Sequence, residues 1–260
     1  MIDALPIGTG IILASLLGAV LGSFIATLVL RWPEGRSVGG RSRCDGCDRP
    51  VAAWDLVPLL SFLWLRGRCR WCGAPIDPFH LGVEGAAAAI GAAALALMPG
   101  MGGWLWALFG WLLLPLVLLD ARHFWLPDRL NLLLGAAGLL LAGPMMELPL
   151  LDRWIGALTG GVSLALLAWA YRRGRGRDGM GGGDPKLAAA IGAWTGWQAL
   201  PLLLLLASLA GILWALANRH GSGADGKKDR PLALRPVPFG AFLGVAAWTA
   251  VPLWLWLSGR

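Results

Sequence analysis

The feature that most restricts this chain is a series of apolar runs, each close to or beyond the roughly 20 residues that a helix needs to cross about 30 Å of hydrocarbon. They fall at about Ile7 to Leu30, Leu81 to Met98, Trp104 to Leu119, Leu130 to Met146, Trp154 to Tyr171, Pro185 to Ala217 with a break near Gly196 to Pro201, and Val237 to Leu257. Counting the broken run as two spans gives an all-α polytopic membrane protein with about eight transmembrane helices. A composition of 57% hydrophobic and 14% charged residues leaves no other sensible class. The sixth span, Pro185 to Trp197, is short for a bilayer unless tilted or sunken, and a sunken start places Asp184 inside the membrane boundary. The opening residues Met1 to Pro6 lack a basic region, so the first run reads as a retained span and not a cleaved signal.

Charge fixes the expected orientation. With the N-terminus outside, every Lys and Arg except Arg153 and Arg260, out of 22, falls on one side. Short loops rich in these residues mark the cytoplasmic face, so the basic loops are topology signals and not a nucleic-acid patch. Trp104, Trp106, Trp197, Trp254 and Trp256 near the outer ends read as an interfacial belt. The chain divides into a first transmembrane helix (1–30), a cytoplasmic cysteine loop (31–80) and a transmembrane core (81–260).

All four cysteines lie in that loop, as Cys44-Asp45-Gly46-Cys47 and Cys69-Arg70-Trp71-Cys72-Gly73. Two Cys-x-x-Cys knuckles have the form of a zinc ribbon, and a reducing cytoplasmic face argues against disulfides. The expectation is a closed, structural four-thiolate zinc site, with Gly46 and Gly73 permitting the tight turns. The stretch Val51 to Leu65 between the knuckles is too short, and too interrupted by Pro58, to span; it is expected in the interface or under the spans.

Two aspartates stand where apolar spans meet the cytoplasm. Asp120 ends the third, and Asp184 follows the run Gly181-Gly182-Gly183 and precedes Pro185 and Lys186. Pro185 suits the first turn of a helix, which makes Asp184 a candidate N-cap. Ionisable groups at this depth are costly and point to function. Two such carboxylates brought together share one proton, so that one can activate water while the other donates to a carbonyl. The dipoles of the two helix ends assign Asp184 as the initial base and Asp120 as the initial acid. Gly181, Gly182, Gly183 and Lys186 form the expected active-site loop, in which Lys186 tunes the charge of the pair or, by the commoner preference, snorkels to the surface; Asp128 reads as a cap or surface ion pair, His80 and His123 as solvated, and Glu84, at the start of the second span, has no partner legible in sequence.

Several unusual pieces then occur in a fixed order: Gly22-Ser23-Phe24, the knuckles around Asp55-Leu56-Val57-Pro58-Leu59-Leu60-Ser61, Arg66-Gly67-Arg68-Cys69, Asp120 to Leu126-Pro127-Asp128, and Gly181-Gly182-Gly183-Asp184-Pro185-Lys186-Leu187. Together they resemble the type IV prepilin peptidases over nearly the whole chain. The resemblance implies a bacterial inner-membrane aspartic endopeptidase of the Gly-x-Gly-Asp class, with Asp120 and Asp184 as its catalytic pair. Its substrates would be type IV prepilins or type II secretion pseudopilins, which lose a short basic leader. It also implies N-methylation of the new terminus from S-adenosylmethionine, an activity associated with the cysteine-bearing half. The chain departs from the family at Ala26, where Asn is usual, and at Phe79-His80, where Tyr-Pro is common. The rival class is an ion-coupled transporter whose relay is Asp120, Asp184 and Glu84, but transporter sites lie near the midplane and these acids cluster at one face.

Overall fold

The computed structural model describes residues 6–218 and 237–257, and their regular elements are helices, apart from two isolated bridges in the cysteine loop. The expected basic stretch 219–236 lies outside the described residues. Two compact units divide the chain, Met1–Pro115 and Leu116–Arg260.

In the first unit, α1 (Ile7–Arg31) packs along α3 (Phe79–Leu97), while α2 (Leu60–Trp64) is a single turn within the cysteine loop. Lipid tails are as apolar as leucine, so helices gain by letting backbones approach through small residues and make dispersion contact. A Cβ on Gly18 would overlap the Ala87 carbonyl, and one on Gly91 would overlap that of Ala14. The helix α4 (Met101–His123) carries Pro115 at the boundary between the units. Its Trp111 donates Nε1–H to the Ala87 carbonyl at 2.9 Å.

The second unit adds α5 (Asp128–Leu141), α6 (Gly143–Met146), α7 (Leu150–Arg175), α8 (Asp184–Ala217) and α9 (Phe239–Leu257), with α5, α7 and α9 all packed on α8. Gly156 of α7 faces Gly192 of α8 so closely that a Cβ on either would strike the other's carbonyl oxygen. Trp194 of α8 is fully buried, and its Nε1–H is satisfied by the Leu134 carbonyl of α5 at 2.8 Å. The expected break in the long run is real: Gly196 has φ 74° and ψ 172°, outside helical geometry.

Among the described residues, six helices are long and apolar enough to cross a membrane. The expected fourth and sixth spans correspond to α5, of 14 residues, and to the part of α8 before Gly196, both shorter than a bilayer. Span boundaries elsewhere agree to within a few residues, but the tryptophan belt needs correction. Trp197 and Trp256 are exposed as an interface requires, whereas Trp106 is only 1% exposed and belongs to the interior.

If close approach of α7 and α8 holds the second unit together, Gly156→Val should cost about 1–3 kcal/mol through overpacking. Thermal unfolding in detergent should show a clear drop in Tm, while Gly174→Ala, where a Cβ meets nothing within 4 Å, should leave it unchanged.

Candidate active site

Asp120 lies in the last turns of α4 and Asp184 opens α8; both are buried, at 6% and 5% exposure. A carboxylate out of water needs donors in place of its hydration shell. The Ala241 amide donates to Asp120 Oδ2 at 2.8 Å, and the Gly181 amide donates to Asp184 Oδ2 at 3.0 Å. Asp184 Oδ1 has no hydrogen-bond partner among the described residues. Between the two carboxylates lies the backbone of Gly240. A Cβ built there would sit 3.1 Å from Asp120 Oδ2 and 3.1 Å from Asp184 Oδ1, so those oxygens face one point and are separated by no more than twice that distance.

The sequence reading of Asp184 as an N-cap does not hold. The helix is preceded by Gly183 with no side-chain cap bond, and the Asp184 carboxylate turns back into the glycine loop instead of forward to the next amides. The helix-dipole assignment of base and acid also loses its ground. Asp120 ends its own helix but receives an amide from the first turn of α9, so both carboxylates meet the N-terminal end of a helix.

The glycine run has separable duties. Gly181 supplies the amide to Asp184, and Gly183 lies so close to Leu126 that a Cβ would stand 2.6 Å from the Leu126 Cβ. Gly182 is exposed and faces open space. Lys186 does not approach the aspartates as a free charge; its Nζ pairs with Asp128 Oδ1 at 2.6 Å on the exposed surface, joining the starts of α8 and α5. That is the ion pair foreseen for Asp128. Gly240 and Ala241 were missed by sequence reasoning. Their signal was a glycine just after Pro238, at the head of the last apolar run, a place that otherwise reads as an ordinary span start.

In the first unit, Cys44, Cys47, Cys69 and Cys72 place their four sulfurs within 4.8 Å of one another, with Cys44 and Cys72 at 3.7 Å. Tetrahedral zinc with Zn–S of about 2.3 Å needs sulfurs ~3.8 Å apart, so the donor set fits one such ion. The amides of Cys72 and Trp71 lower the Cys69 thiol, while the neighbouring thiols push Cys72 up, so the four sulfurs titrate as one coupled group. The knuckles match in backbone: Asp48 N–H bonds to the Cys44 carbonyl at 2.9 Å, and Gly73 N–H to the Cys69 carbonyl at 3.0 Å. The left-handed positions are Asp48 (φ 52°) and Gly73 (φ 71°). Gly46, expected to make the first turn, is instead required for space, since a Cβ would stand 2.8 Å from that of Ala74.

The segment between the knuckles is pinned twice. Arg70 makes a bidentate pair with Asp55, which holds the Asp55 carboxyl below its usual range. Glu84 accepts the amide of Leu59 at 2.7 Å, a residue held at φ 62°. His80 is half-buried and not simply solvated, while His123 is exposed as expected.

Comparison with known proteins covers most of this architecture. The family described as Bacterial Peptidase A24 N-terminal domain matches residues 16–98, and the Type IV leader peptidase family matches residues 106–216. A protein of Aeromonas hydrophila named prepilin leader peptidase/N-methyltransferase is 44% identical over 222 residues, covering 82% of this chain and 71% of that one. Proteins of the same name from Burkholderia pseudomallei (strain K96243) and Klebsiella pneumoniae are 36% identical over 288 residues and 42% identical over 204. They take in 98% and 74% of this chain, and 91% and 88% of their own lengths. No solved structure matches. Similarity of this extent across both matched regions makes the chain a member of the type IV leader peptidase family.

Proposed function

We propose that this multi-pass membrane protein cuts the basic leader from type IV prepilins or type II secretion pseudopilins, with Asp120 and Asp184 as its catalytic pair, and then N-methylates the new terminus. The observation that carries the peptidase reading is the convergence of two buried carboxylates on the space over Gly240. The relatives' shared name supports both activities. The reading puts the reaction at the cytoplasmic face of the inner membrane; the basic loops and the position of both aspartates at helix ends support it. The transporter reading is not favoured, since neither the relatives nor the position of the acids supports it.

The chemistry follows from the geometry. At this separation the pair holds one proton more comfortably than none. In the proposed reaction one aspartate of the pair takes a proton from water while the other donates its own to the scissile carbonyl oxygen as the hydroxide adds to carbon. Return of a proton to the leaving nitrogen completes cleavage. The Gly181 and Ala241 amides hold the outer oxygens, fixing the inner ones toward the substrate. The exposed backbone at Gly182 lets the extended substrate chain lie close, with its apolar helix reaching the site laterally through the bilayer. Cys44, Cys47, Cys69 and Cys72 would hold a zinc ion that staples the loop, and four thiolate ligands would leave it no open position for chemistry. S-adenosylmethionine supplies the methyl group.

Asp120→Asn and Asp184→Asn should each abolish leader removal, read by mass spectrometry of a prepilin incubated with purified enzyme, while Tm stays near that of the parent. Cleavage surviving in either variant rejects the pair. Gly240→Ala should lower kcat about 100-fold, as expected when reacting groups are displaced by an ångström. In intact protein a metal assay should find one zinc per chain, lost in Cys44→Ser; well under one equivalent in the parent would overturn the four-thiolate site.

A further inference from the structure

The aspartate pair accounts for cleavage but offers nothing to a methyl group, and the relatives' name carries both activities. The first unit contains a cavity of about 420 Å³, within the range of about 300–1,000 Å³ usual for small-molecule sites. Ser23 and Thr27 of α1, Phe62 of α2, Trp71 of the second knuckle, and His80 and Glu84 of α3 all contribute to its wall. We infer that this cavity binds S-adenosylmethionine, with the Glu84 carboxylate facing the sulfonium; the inference rests on the N-methylation reading above.

The charges on the wall are mostly spoken for. Glu34 and Asp45 are bridged by Arg36, Asp45 also by Arg31, and Asp55 by Arg70, while Asp77 accepts the Phe79 amide at 2.9 Å. Glu84 differs. It is only 7% exposed, makes no salt bridge among the described residues, and accepts the Leu59 amide at Oε2. A buried carboxylate without a cation, on the wall of a cavity of this size, fits a ligand that brings its own positive charge. A sulfonium does so, and Phe62 and Trp71 add aromatic surface to the wall for its adenine, with Arg49 over the Trp71 ring at 5.5 Å. His80 and Glu84 are four residues apart on one face of α3, so both reach the same side of the cavity.

The step balances without a further reagent. The lone pair of the new terminal amine attacks the methyl carbon as the sulfur–methyl bond breaks. That bond's electron pair stays on sulfur, leaving a neutral thioether, and the proton displaced from nitrogen passes to water.

Equilibrium dialysis of the full chain in detergent against labelled S-adenosylmethionine and S-adenosylhomocysteine reads binding without turnover. Glu84→Gln keeps an acceptor for Leu59 but removes the charge. It should weaken the sulfonium ligand about tenfold or more, as loss of a buried charge partner does, and the neutral thioether far less. Thr27→Phe fills the cavity and should abolish binding of both, with Ser23→Leu as a second filling variant; retained zinc and Tm check folding. If the parent binds neither ligand, the N-methylation reading falls. If the parent binds both and the filled and charge-neutral variants bind as well as it does, the cavity assignment falls while methylation stands. Equal weakening of both ligands by Glu84→Gln would remove the sulfonium from the Glu84 side.

Discussion

A carboxylate buried at the rim of a membrane must be met by donors or lose its charge, and in the second unit the donors are backbone amides. Asp184 is met by the Gly181 loop that precedes its own helix, and Asp120 by the first turn of α9, which begins 119 residues later in the chain at Phe239. That second bond cannot form unless the C-terminal end of α4 and the N-terminal end of α9 converge. The convergence is a matter of helix packing, and on the α9 side it is α8, which holds Asp184 and the contacts to α5, α7 and α9, that positions the partner. The tight approach of Gly156 to Gly192 and the seating of Trp194 on α5 are therefore part of the active-site geometry, although neither touches a carboxylate.

Much of this was legible in the sequence, for a physical reason. Hydrocarbon demands long apolar helices with satisfied backbones, so span positions are written as composition, and even the break at Gly196 showed as a glycine and proline in a continuous run. The two aspartates were legible because charge at such a depth is anomalous. What escaped is whatever depends on three-dimensional approach. Gly240 looks like any small residue near a helix start, and its role exists only because two side chains from elsewhere flank it. Asp184 was also read as a candidate N-cap because that is the local preference, and its carboxylate instead accepts the Gly181 amide of the loop. Trp106 was read by its place near a span end, whereas the neighbouring helices bury it.

The cysteine loop shows the complementary case, in which sequence symmetry is truer in backbone than in residue type. Each knuckle needs one left-handed residue after its second cysteine, and the chain uses Asp48 in one and Gly73 in the other. Aspartate is among the few residues that tolerate that conformation, so the two motifs look unequal on paper while folding alike. Gly46, which looks like the turn residue, answers to the crowding of Ala74. A motif fixes its metal-binding spacing firmly and its turn chemistry loosely, because several residues can satisfy the same dihedral angles.

Glu84 and Asp184 then pose one physical question in two units. Each is nearly buried, each has one oxygen held by a main-chain amide, and neither is matched to a cation among the described residues. A group that served stability alone would be better replaced by an apolar side chain, since an unpaired buried charge costs more than it returns. Keeping the carboxylate makes sense where something outside the folded chain completes it. In the proposed reaction that something is, for Asp184, a water and a peptide carbonyl, which need an oxygen with free lone pairs. For Glu84 it is a cation, which needs a negative charge that no arginine has already neutralised. Of the arginines that line the same cavity, Arg31 and Arg36 are engaged by Asp45, Arg43 by Asp48 and Arg70 by Asp55, while Arg49 lies over the Trp71 ring, so among the described residues none is paired with Glu84.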